Sequence, residues 1–231
     1  MSLASQLTAI TTQFEATAPS HIKDPISHTN THFQQTFTPS LALQPGSPFP
    51  PITLPSALGT PISIPTLLLT TCLLITFYRG TWCPFCNLAL HSLQTHLPFF
   101  KSHNITLLAI SPQLPDQSLS TIEKEALQFE VLSDVGNVLA RKLGILFQQP
   151  EEMRAVFEEL GYDFEKSNGD ASMEVPVPAT FLVGRDGGCK GVFCGSGLDE
   201  EGGDECGDGV GGGVEGEGGV VEGCGGKCDW S

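Results

Sequence analysis

Two cysteines stand two residues apart in Trp82-Cys83-Pro84-Phe85-Cys86, where an apolar run hands over to a stretch with helical spacing. That placement sets the first sulfur near a helix N-terminus. The unpaired amides there, together with the helix dipole, favour a thiolate over a thiol. An unperturbed thiol, with a pKa of about 8.5, is mostly protonated at neutral pH, and a depression of about two units makes most of it the nucleophilic form. The second thiol, one turn along, can close a disulfide with little backbone movement. The pair therefore predicts thiol-disulfide redox chemistry with Cys83 and Cys86 as the reacting groups. Arg79, four residues ahead of Cys83, either adds positive charge to the site and binds a substrate oxygen or closes a salt bridge at the domain edge.

Other donors are weaker candidates. A zinc site needs about four ligands. The remaining donors would be Cys189, Cys194 or Cys206, and no second C-x-x-C is present. His21, His28 and His32 are scattered through a polar stretch with no cysteine or carboxylate set to complete a site. No metal and no cofactor are expected. Cys72, inside an apolar run, reads as a small buried hydrophobe, and His91 and His96 read as surface residues of the helix after Cys86.

The elements that must position the thiols follow from periodicity. Leu3, Leu7, Ile10 and Phe14 form one face of an amphipathic helix over residues 3–15, and residues 16–44 read as an irregular polar connector. Between Pro45 and Pro65, prolines punctuate short apolar runs and predict an edge hairpin. The β/α alternation begins with a buried strand from Thr66 to Tyr78, then a helix from Cys86 to Leu97 that Pro98 ends, and a strand from Thr106 to Ser111. A helix over Ser120–Phe129 opens with Ser120 and Glu123 as a capping box. A short strand ends at Val131–Leu132, and Asp134 is placed to cap a helix that stops at Gly144. Glu151–Leu160 is a further helix, with Met153, Val156, Phe157 and Leu160 on one face. Ala179–Val183 is a strand whose partner ends near Phe193. This pattern predicts an α/β domain with a mixed sheet.

Composition bounds the function. The formal net charge is −15, and Asp186–Ser231 carries eleven acidic residues against two basic ones. An acidic chain repels phosphate backbones, so nucleic acid is excluded as a partner. Residues 1–15 lack the basic start and continuous apolar core of a secretory signal. The run 67–78 is too short to span a bilayer. A soluble cytoplasmic protein without a membrane partner is expected, in a compartment that keeps thiols reduced. Residues 1–43 form an N-terminal helix and connector, 44–194 the redox domain, and 195–231 a Gly-rich acidic tail expected to be disordered.

Phe77-Tyr78-Arg79-Gly80-Thr81-Trp82-Cys83-Pro84-Phe85-Cys86-Asn87-Leu88 resembles the F-Y-R-G-x-W-C-P-x-C-N-L stretch of peroxiredoxin-like proteins of the alkyl hydroperoxide reductase/thiol-specific antioxidant group. The likeness continues through Leu108–Gln113, Leu132-Ser133-Asp134 and Pro176–Phe181, and covers roughly residues 3–193. It implies a thioredoxin-like fold, a central mixed sheet flanked by helices, with a cis Pro178 opposite the thiols. It also implies a peroxidase acting on hydrogen peroxide or organic hydroperoxides, recycled by thioredoxin or another dithiol, with Arg79, Thr81, Trp82 and Pro178 at substrate-binding positions. A homodimer is left open.

This sequence departs from the group in instructive ways. The group's P-x-x-x-T-x-x-C pattern lays the peroxide-reactive sulfur on Cys86, with Cys83 on the Thr and Arg79 on the Pro, and the group's distant Arg is missing near the Pro178 turn. Burial at the deeper Cys86 raises a thiol's pKa, and nothing identified offsets it. Cys83 is therefore expected to react first and Cys86 to resolve. The closing C-terminal helix of such folds is also missing, because glycines interrupt every helical run after Cys194. Two alternatives stand beside the peroxidase: a disulfide reductase without peroxidase turnover, and an inactive binding module of the same fold.

Overall fold

The computed structural model of the chain describes residues 2–118, 122, 126–194, 220–221 and 228–229. Expectations for the helix over Ser120–Phe129, the tail and the closing helix therefore fall largely outside the described residues. The apolar stripe of the N-terminus gives α1 (Leu3–Thr17). The segment read as an irregular connector is instead a second helix, α2 (Ser20–Thr36). Its Ile22, Ile26, Thr29 and Phe33 recur at helical spacing under a polar majority, and the helix contains Pro25, which removes one backbone bond and crowds the preceding turn. His21 and His28 on α2 face Glu159 and Glu152, with nitrogen-oxygen distances of 3.0 and 3.9 Å.

The prolines deliver the expected hairpin, β1 (Thr53–Pro55) antiparallel to β2 (Pro61–Ser63). The long apolar run does not become strand at once. A short helix, α3 (Ile64–Leu68), comes first, with the Ser63 hydroxyl accepting from the Thr66 amide at 3.3 Å, and the strand β3 begins only at Cys72 and ends at Phe77. After β3 come α4 (Pro84–Thr95) and α5 (Leu97–Ser102), so Pro98 sits in the first turn of a new helix rather than simply ending the old one. Then follow β4 (Ile105–Ser111), β5 (Glu130–Ser133) and α6 (Val138–Lys142). The Asp134 carboxylate accepts from the Leu139 and Ala140 amides at 2.9 and 2.8 Å, which is the capping role its position predicts.

β6 (Leu146–Gln148) pairs antiparallel with β7 (Glu174–Pro176). The loop they close contains α7 (Met153–Glu159) and α8 (Phe164–Asn168). On α7 the buried face is Met153, Val156 and Phe157, whereas Leu160 falls beyond the helix and is 62% exposed. Last come β8 (Ala179–Val183) and β9 (Cys189–Cys194).

The central sheet has the order β5-β4-β3-β8-β9. β3 runs parallel to β4, β4 to β5, and β8 antiparallel to both β3 and β9. All six residues of β3 are buried, which explains a continuous apolar run in place of alternation. Leu73, Ile75 and Phe77 face one core with Ile110, Phe181, Leu139 and Leu143. On the opposite face Cys72 and Leu74 pack with Leu97 and Phe100 of α5. This is the mixed sheet flanked by helices that the sequence predicts. Phe77 pairs with both Ile110 and Ala179, so the chain leaving β3, the loop after β4 and the residues just before β8 meet at one end of the sheet. Among the described residues no helix is long and apolar enough to cross a membrane.

Candidate active site

The site is the turn that joins β3 to α4. Tyr78 extends the strand by donating to the Ile110 carbonyl at 3.0 Å. The backbone then reverses at Gly80, whose φ of +142° is rarely open to L side chains. A Cβ there would stand 2.9 Å from Trp82 Nε1 and 3.2 Å from Gln113 Cδ, so glycine is required on two counts. The Cys83 amide closes the turn onto the Gly80 carbonyl at 3.1 Å. Cys83 is the N-cap of α4, with extended backbone angles, and its sulfur accepts the Cys86 amide at 3.4 Å. Pro84 begins the helix, where its missing N–H costs nothing and its fixed φ suits the first helical position.

Cys83 and Cys86 are thus brought together, and they are only 3% and 5% exposed. They share an apolar cluster with Tyr78, Leu90, Ala109 and Val131, bordered by Trp82 and Phe85. The Trp82 ring stacks edge-on against Phe157 at 4.9 Å and lies 5.1 Å from the Tyr162 ring. The Thr81 hydroxyl and amide both donate to Gln113 Oε1 at 3.0 Å, so the predicted substrate contact is a side chain already committed to the turn. Arg79 is half-buried at the end of β3.

Pro178 immediately precedes Ala179, the partner of Phe77, but no peptide bond among the described residues is cis. The cis Pro178 implied by the resemblance is therefore corrected to trans. An X–Pro bond favours trans by about 0.5–1 kcal/mol unless packing opposes it. Here the Val177 amide is engaged by the Ile145 carbonyl at 2.6 Å.

Several other candidates lie elsewhere. His91 and His96 line a groove against α1 with Leu3 and Gln6, on a face of α4 distinct from that of Cys86 and Leu90. Cys189 is buried in β9, where its thiol points to the Gly191 carbonyl at 3.4 Å and burial raises its pKa. Cys194 ends the same strand, and Cys206 is outside the described residues. Cys72 is buried among Leu74, Leu97 and Phe100, away from the thiol pair, as its reading as a small hydrophobe expects.

The two thiols differ electrostatically. The Cys86 thiol, as a hydrogen-bond donor, lowers the Cys83 pKa most. Burial opposes this, while the Arg79 charge and the Cys86 and Phe85 amides add to the lowering, and Cys83 settles at about 7. The same bond, together with burial and the Cys83 charge, pushes Cys86 well above the ordinary thiol range. Because the thiolate is the deprotonated form, alkylation of reduced Cys83 should be slow at acid pH, half-maximal near pH 7 and level above it. Peptide mapping after brief treatment with a limiting electrophile checks this. A Cys83 midpoint at the ordinary thiol value of about 8.5 would contradict the assignment.

Three features of the site are not legible as such in the sequence. Gln113 and Asn87 were legible only as members of the motif series, although both bond Thr81. The aromatic group Phe157, Tyr162 and Phe164 comes from two short helices and a loop, and only tertiary packing gathers it around Trp82.

A family model described as the AhpC/TSA family matches residues 45–190. A putative peroxiredoxin bcp of Buchnera aphidicola subsp. Schizaphis graminum is 31% identical over 103 residues, 45% of this chain and 65% of that relative. The match thus spans just under two thirds of the relative's length. Among solved structures, peroxidoxin BcpB of Mycobacterium tuberculosis superposes with a TM-score of 0.53 at 18% identity, covering 66% of this chain and 86% of that one. A cysteine mutant of PrxQ from Xylella fastidiosa gives 0.53 at 15% identity with the same two coverages. These structures share the fold of this chain. With residues 45–190, more than half of its length, matched by that family model, the chain belongs to the AhpC/TSA family.

Proposed function

We propose that this chain is a thiol-dependent peroxidase that reduces hydrogen peroxide or organic hydroperoxides through a Cys83/Cys86 dithiol-disulfide cycle. The observation that carries the reading is the Cys83 sulfur at the start of α4, accepting the Cys86 amide at 3.4 Å with a second thiol one turn away. The Cys83 thiolate attacks one peroxide oxygen, the O–O bond breaks, and the departing oxygen leaves with the electron pair and takes a proton. Cys83 becomes a sulfenic acid. Cys86 then attacks that sulfur, water departs and the disulfide forms. An external dithiol such as thioredoxin returns both thiols to the reduced state by exchange.

Arg79 supplies positive charge where the departing oxygen develops its negative charge. Trp82 walls the turn, and Pro178 stands just before Ala179, the strand partner of Phe77. The near-complete burial of both sulfurs favours a small oxidant over a bulky protein disulfide.

Peroxide consumption driven by a thioredoxin system is the test, with mass spectrometry of the Cys83–Cys86 link after mild oxidation. Stoichiometric disulfide formation without thioredoxin, and turnover with it, is expected. Two free thiols after peroxide treatment would rule the cycle out. A second reading, disulfide reduction alone, draws on the lowered pKa of Cys83, the first cysteine of the pair. It predicts reduction of a protein disulfide with no peroxide consumption.

A further inference from the structure

We propose that Gln113 is a positioning residue, one that holds the Gly80–Cys83 turn and through it the Cys83 sulfur at the start of α4. Gln113 lies just beyond β4 and is 2% exposed. A buried amide is retained only where its hydrogen bonds are worth the desolvation. Its Oε1 takes two donors from one residue, the Thr81 amide and the Thr81 hydroxyl, each at 3.0 Å. From the other side the Asn87 side-chain amide donates to the Thr81 carbonyl at 3.0 Å. Both polar groups of the Thr81 backbone are thus held by side chains from two different elements. Thr81 is the second residue of the turn that the Cys83 amide closes onto the Gly80 carbonyl.

Gln113 also lies beside Gly80, its Cδ 3.2 Å from where a Cβ would be. The next residue, Leu114, donates its amide to the Ser167 carbonyl at 2.8 Å. That bond ties the same loop to α8, next to Asn168, which accepts from the Tyr162 hydroxyl behind Trp82 at 2.9 Å. The loop after β4 is therefore joined to both sides of the thiol turn. Gln113 acts on the sulfur through Thr81 and touches no reacting atom. Loosening Thr81 frees the turn, and the Cys83 sulfur then loses its fixed approach to the Cys86 amide.

The inference concerns Cys83 in the peroxidase reading, but its test needs no peroxide, so the two can fail separately. Gln113→Met keeps the side chain's length and removes the acceptor. Thr81→Val removes the hydroxyl donor alone, and Thr81→Ser keeps both donors. The pH dependence of Cys83 alkylation is measured for each, along with the thermal midpoint of unfolding. Gln113→Met should raise the alkylation midpoint by about one pH unit, slowing labelling about tenfold at pH 6 while leaving the rate at pH 9.5 unchanged. Thr81→Val should shift it in the same direction by less, and Thr81→Ser should restore the wild-type profile. A lowered thermal midpoint with the profile unmoved in both Gln113→Met and Thr81→Val would make Gln113 a purely structural residue and overturn the proposal. Equal shifts in Thr81→Ser and Thr81→Val would overturn it as well.

Discussion

Cys83→Ser is expected to lower peroxide turnover by on the order of a thousandfold or more, because a serine hydroxyl stays protonated where the thiol ionises, and removal of a reacting group abolishes the steps that depend on it. Cys86→Ser should behave differently. It should complete one peroxide reduction, accumulate sulfenic acid on Cys83, and stop unless an external thiol resolves it. A serine at position 86 still offers a hydroxyl that can donate to the Cys83 sulfur, and the backbone amide that bonds that sulfur at 3.4 Å is untouched. The first chemical step therefore survives the loss of the second thiol. Trapping sulfenic acid with a dimedone-type reagent in each single variant decides the order. Sulfenic acid accumulating on Cys86 in Cys83→Ser, with faster labelling of Cys86 in the wild type, would reverse the assignment.

The direction of that prediction rests on an asymmetry visible in the structure. Both sulfurs are buried, so desolvation opposes ionisation of each. Only Cys83 occupies the capping position, where the Cys86 and Phe85 amides face it and the partner thiol donates to it. Cys86 serves as the donor in the same bond and pays for it with a raised pKa. Arg79 acts on both sulfurs in the same sense and so cannot order them. Position on the helix therefore decides which thiol is poised. The family pattern read from sequence lays the reactive sulfur one turn further on, and the sulfenic acid experiment separates these two placements.

What was legible in the sequence is what local spacing determines. The strand over Ala179–Val183 has the ends its sequence predicts, because a short, mostly apolar run stands between a proline and a turn. The C-x-x-C turn was legible because a strand, two cysteines and a helical repeat follow one another within one stretch. The α2 helix is not legible in the sequence because its apolar residues are few, and their value comes from packing on a distant part of the chain, as Ile22 does on Met153 and Phe157. The strand β3 begins at Cys72 and not at Thr66, where the apolar run predicts it, for a related reason. Between Thr66 and Thr71 the composition suits a strand, but capping by Ser63 turns the first part into α3. The supports of the thiol turn were illegible in the same way. Gln113 and Thr81 are 32 residues apart, and the parallel pairing of β3 with β4 is what brings them within 3.0 Å.

Gly80→Ala is expected to cost stability and thiol reactivity together. An L residue held in a sparsely populated backbone region costs about 1–3 kcal/mol, and φ at Gly80 is +142°. Contact adds to this strain. The new Cβ would meet Trp82 Nε1 at 2.9 Å and Cδ1 at 3.0 Å, closer than carbon atoms pack without displacement. Trp82 has little room to retreat, since Phe157 and Tyr162 back its ring at 4.9 and 5.1 Å. Gln113, 3.2 Å away on the other side, is held by its two bonds from Thr81. The turn itself must therefore yield, and Cys83, whose amide closes it, moves with it. Urea unfolding should show a loss of about 1–3 kcal/mol, and the Cys83 alkylation midpoint should rise from about 7 toward the ordinary thiol value. Gly59→Ala isolates the strain from the contact. Gly59 also has a positive φ, +77°, but nothing lies within 4 Å of its would-be Cβ. That variant should lose about 1 kcal/mol and keep the wild-type alkylation profile. If Gly80→Ala matched Gly59→Ala in both measurements, the turn would not be what holds the Cys83 sulfur in place.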